Sequence, residues 1–126
     1  MDSKKTISKY KARSAHYFEN ALHFIEVGDT EKASEFLWGS MAQALKAVAA
    51  IKERQLRSHN AIRDYALELS KELKDDAIRH AFDKAQSLHS NFYESGLTME
   101  DVAVGAEDVK SAVGKLLKLL PEETSS

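Results

Sequence analysis

Arg54 and His59 are separated by four residues, a pairing suited to one kind of chemistry. Cleavage of RNA needs a base to take the 2′-hydroxyl proton and a cation to stabilise the pentavalent phosphate, roles that an imidazole and a guanidinium fill. The competing reading puts His59 at a helix start and leaves Arg54 solvated. His89 and Tyr93 are four apart and share one helix face, and with Asn91 they could line a groove holding a base or phosphate. Otherwise His89 hydrogen-bonds inside the protein and Tyr93 packs with its hydroxyl at the rim. Lys46 stands among Ala42, Ala47 and Ala50. Its ammonium could reach a phosphate in a cleft between helices, or its stem could simply snorkel along a thin helix face. His16, Glu19, His23 and Glu26 form a stripe of metal-ligand types at three- and four-residue steps. At about 100° per residue the two imidazoles point almost opposite Phe18, Leu22 and Ile25. The stripe is therefore expected to face water, and no metal or cofactor is assigned. The sequence contains no phosphate-cradling glycine loop, nucleophile elbow or paired-carboxylate motif.

These side chains must be positioned by helices. Apolar residues recur at three- and four-residue steps in five segments, predicting helices over 6–27, 30–53, 60–73, 76–94 and 99–120. Gly28 can end the first, with Asp29 or Thr30 capping the second. So short a link makes these two antiparallel neighbours. Ser58 or Asn60 can cap the third, and Gly96 stops the fourth. Thr98 with Asp101 resembles a capping box for the fifth, which Pro121 ends before a polar tail over 121–126. The second helix is thin at Gly39 and Ala42. Phe36 and Trp38 are expected in the core or, with Gly39 and Ala42, at a contact between copies of the chain.

Composition agrees with this reading. The chain has 126 residues, enough for one domain, 1–126, with its own core. One proline and five glycines leave long uninterrupted elements. Without cysteine there are no disulfides and no thiol chemistry, which fits a reducing, cytoplasmic setting. No apolar run approaches the roughly 20 residues of a membrane span, and no secretory h-region follows Met1. The net charge of −2 is mixed throughout and marks no basic half or tail, though an average does not report a local patch.

Several stretches resemble the HEPN family, named for nucleotide-binding domains of higher eukaryotes and prokaryotes. They are Gly28-Asp29, Lys32-Ala33-Ser34-Glu35, Trp38-Gly39, Ala44-Leu45-Lys46-Ala47, the Ser58-His59 step, and the run from Ala85 to Tyr93. The likeness covers about Tyr10 to Leu120 and points to archaeal PaREP-type members. It implies an all-α, four-helix up-and-down bundle with an additional shorter helix. It also implies a homodimer, and either ribonuclease activity of toxin type or partnership with a small nucleotidyltransferase. Ribonuclease members carry Arg followed four to six residues later by His near the start of the last major helix. Here the matching stretch has no arginine between Lys84 and Tyr93, and Arg79 is ten residues before His89. The expectation is a non-catalytic binding domain for a nucleotide, RNA or a protein partner, using Lys46, His89, Asn91 and Tyr93. The alternatives are a metal-independent endoribonuclease using His59 or His89 with a nearby arginine, and a purely structural oligomerisation module.

Overall fold

The computed structural model describes residues 3–90 and 97–121. Among them the secondary structure is all-helical, without a strand: α1 Ser3–Val27, α2 Thr30–Ala50, α3 His59–Leu73, α4 Ala77–Ser90 and α5 Met99–Lys118. Residues 91–94, expected to complete α4, lie outside the described residues.

Local chemistry sets the boundaries. Gly28, at φ +85°, donates its N–H to the Ile25 carbonyl while Asp29 donates to Phe24, the paired closure of a left-handed helix end. Asp29 then turns to the next helix, its carboxylate accepting the Lys32 N–H at 3.0 Å. The same closure recurs without glycine. Glu53 (φ 57°) and Arg54 donate to Ala50 and Ala49, and Lys74 (φ 54°) and Asp75 donate to Lys71 and Ser70. Residues 51–53 thus form the closing turn of α2 rather than more helix. Ser58 caps α3 through the Ala61 N–H, and Thr98 and Asp101 cap each other's backbone at α5.

α2 touches all four other helices and carries the core. Leu37, Met41 and Leu45 are fully buried, against Ile78, Phe82 and Leu88 of α4 and Val102, Val109 and Leu116 of α5. Each such side chain contributes about 1.5–3 kcal/mol on removal from water. α1 is different: among the described helices it contacts only α2 and α5, and of its residues only Ser14 and Ala21 are buried. Leu22 was expected on the buried stripe and is 48% exposed, because an edge helix covered from one side buries a narrower arc than its apolar residues span. Leu73 is also exposed, at the last turn of α3. α1 is held close by a reciprocal pair. Ser14 Oγ donates to the Ser40 carbonyl and Ser40 Oγ to the Ser14 carbonyl, both at 2.8 Å and both buried. No helix of the described residues is long and apolar enough to cross a membrane.

Candidate ligand-binding cleft

The antiparallel α1–α2 hairpin pairs residues at equal distances from Gly28. Tyr10 and Lys46 are eighteen residues to either side of it, and the Lys46 ammonium stands 6.0 Å from the Tyr10 ring centroid. Around this pair opens a cleft of about 420 Å³. Its walls are the start of α1 (Ser3, Thr6, Lys9, Tyr10), the end of α2 (Lys46, Ala50) and the segment Glu53 to Leu56. Three cations, Lys9, Lys46 and Arg54, meet one carboxylate there, so the cleft is locally positive in a chain whose net charge is negative. Arg54 is committed elsewhere: its guanidinium bonds Glu68 at 2.6 Å and lies 4.7 Å from the Tyr65 ring centroid. Burial pushes the Tyr65 phenol up from its ordinary value, against the opposing pull of that guanidinium. Lys9 and Lys46 have no carboxylate in ion-pairing range among the described residues. The last carbonyls of α2, which would repel an anion, are already taken by the backbone N–H groups of residues 51–54.

Electrostatics of this kind suits a phosphate. An ammonium beside a half-buried tyrosine ring offers charge and a stacking face together. Among the described residues that line it the cleft has no histidine, and so no neutral imidazole to act as general base.

Two of the five histidines meet in another place. The Trp38 ring lies 4.7 Å from the His59 ring and 5.8 Å from that of His89, so three helices meet at one indole. Trp38 Nε1 donates to Gln86 Oε1 at 2.6 Å, and Gln86 Nε2 donates to Ser90 Oγ at 2.9 Å. The Arg54–His59 spacing does not become a pair. Arg54 lies on the flank of α3 carrying Tyr65 and Glu68, whereas His59 turns to Trp38. Lys46 and His89, expected at one site, lie at two. Asn91 and Tyr93 lie outside the described residues. Among the residues expected between copies, Ala42 is 2% exposed within the chain and has no surface to offer. Gly39 lies under the Tyr17 ring, and Phe36 and Trp38 are half-buried. His16, Glu19, His23 and Glu26 are all exposed, and no group of three or more His, Asp or Glu among the described residues is gathered to hold a metal.

Lys9 and Tyr10 escaped the sequence reading. Counting outward from Gly28 would have found Tyr10 opposite Lys46, because a two-residue link fixes the register of the helices it joins.

A family model described as the archaeal PaREP1/PaREP8 family matches residues 9–113. No curated protein and no solved structure matches.

Proposed function

We propose, for a chain that belongs to the archaeal PaREP1/PaREP8 family, that the cleft at the open end of the α1–α2 hairpin binds a phosphate-bearing ligand, a nucleotide or RNA, without transforming it. Its setting on this reading is a HEPN-like four-helix up-and-down bundle with one shorter helix, acting as a cytoplasmic homodimer. One observation carries the proposal: two lysines with no carboxylate in ion-pairing range among the described residues, Lys9 and Lys46, beside the Tyr10 ring in a cleft of ligand size. The resemblance to nucleotide-binding domains supports it independently.

Calorimetric titration with ATP and with the dinucleotide UpU tests it. Binding should weaken about tenfold or more in Lys46→Glu and should fall with added salt, as contacts to phosphate do. Equal affinity of wild type and Lys46→Glu for both probes would remove the proposal. A ribonuclease reading has one observation in its favour, the convergence of His59 and His89 on Trp38. Cleavage of RNA by the purified protein, lost in His59→Ala or His89→Ala, would replace binding by catalysis. Size-exclusion mass tests the homodimer.

A further inference from the structure

We infer that the α1–α2 seam, from Tyr10 to Phe24, is a track for a single-stranded nucleic acid of several nucleotides, with the cleft as one end. The inference rests on the cleft reading in that Lys46 belongs to both. Tyr10, Tyr17 and Phe24 recur every seven residues and so share one flank of α1. Facing them at equal counts from Gly28 are Lys46, Gly39 and Lys32 of α2, also seven apart.

Each level of this ladder is a contact. Lys46 lies 6.0 Å from the Tyr10 centroid and Lys32 lies 5.3 Å from that of Phe24. Between them the Tyr17 ring lies against Gly39, where an added Cβ would come within 3.1 Å of Tyr17 Cδ2. Phe36 fills the step, 5.7 Å from Tyr17 and stacked on Phe24 at 5.6 Å with the planes within 2°. All four rings are half-buried, so part of each still meets solvent. Alternation of π-faces with cations is what a flexible strand of bases and phosphates requires.

One more observation favours this occupant. Lys9 and Arg13, one turn apart and exposed, continue the positive edge along α1, against Glu53 at one end and Glu35 toward the other. A duplex keeps its bases stacked inside and offers the rings nothing. Fourteen helical residues span about 21 Å, the length of about six stacked nucleotides.

Filter binding with end-labelled oligo(U) and oligo(dT), each of two and eight nucleotides, tests the track. Eight-mers should bind at least tenfold tighter than two-mers. Tyr17→Ala and Lys32→Glu should each weaken the eight-mer about five- to tenfold and leave the two-mer within twofold, while Tyr17→Trp keeps the affinity. Thermal melting checks that each variant is folded. The ratio of oligo(U) to oligo(dT) affinity identifies the sugar, and tight binding of either supports the track. Eight-mers bound no better than two-mers, or silent Tyr17 and Lys32 variants beside an active Lys46→Glu, would overturn the track and leave the cleft standing. A silent Lys46→Glu would overturn the cleft itself. Equal binding of a duplex would overturn the track, as would a dimer lost in Tyr17→Ala with oligonucleotide binding intact, which would assign the face to a second copy.

Discussion

On the side facing α1, α2 presents Lys32, Gly39 and Lys46 to the rings of Tyr10, Tyr17 and Phe24; on the side facing α3 and α4 it presents Trp38 to His59, His89 and Gln86. The second side holds the more reactive residue types, yet its indole N–H is bonded to Gln86, whose amide is bonded in turn to Ser90. The first side holds ordinary residues and leaves two lysines, Lys9 and Lys46, without a carboxylate in ion-pairing range among the described residues. Readiness for a ligand follows from what the fold leaves unsatisfied, not from the reactivity of the residue type.

The largest effect expected falls on the α3–α4 side. Trp38→Ala should cost about 2–3 kcal/mol in denaturant unfolding, below a fully buried tryptophan because the ring is half-buried, and should leave binding of UpU within twofold. A variant that instead keeps its stability and loses the ligand would invert the comparison. Ser40→Ala removes one of the two reciprocal hydroxyl bonds between α1 and α2 and should cost about 1 kcal/mol. A neutral result would mean that the pair does not hold the hairpin. Glu53→Gly and Lys74→Gly relieve two left-handed backbones and should each raise stability by about 0.5–1 kcal/mol. Only the first also removes the carboxylate of the cleft, so it alone should tighten anion binding, a difference that calorimetry on the two variants reads directly.

The smallest effect belongs to neither side. Asp75 is held below the usual carboxylate range by the hydrogen bond from Lys115, then by that from the Ala77 N–H; Asp101 is held down by the backbone and hydroxyl of Thr98. A lowered folded value gives stability that is present above the unfolded carboxylate value of about 3.9 and is lost as pH falls through the folded one. Thermal melting should therefore show a shallow decline below about pH 4, flattened in Asp101→Asn. A decline beginning well above that range would mean that other groups govern it.

The five helices were legible because their signals are local: a three-to-four rhythm, Gly28 at positive φ, and caps at Asp29, Ser58 and Thr98. Helix ends at Glu53 and Lys74 were harder, since neither residue advertises a left-handed backbone. The exposure of Leu22 was not legible at all, because it depends on how many neighbours cover α1. In the same way the composition around Lys46 suggested a cleft, but its companions Lys9 and Tyr10 come from another helix, and their approach is a property of register. His59 and His89 are thirty residues apart in sequence, and nothing local told them that they would share an indole.

Trp38 is the single tryptophan of the chain, and it packs on residues of α3 and α4. Its emission therefore watches one junction, whereas far-ultraviolet dichroism sums every helix. If α1, the edge helix, peels away before the rest, dichroism should fall while the emission maximum still reads native. A single shared transition would mean that the edge and the centre let go together.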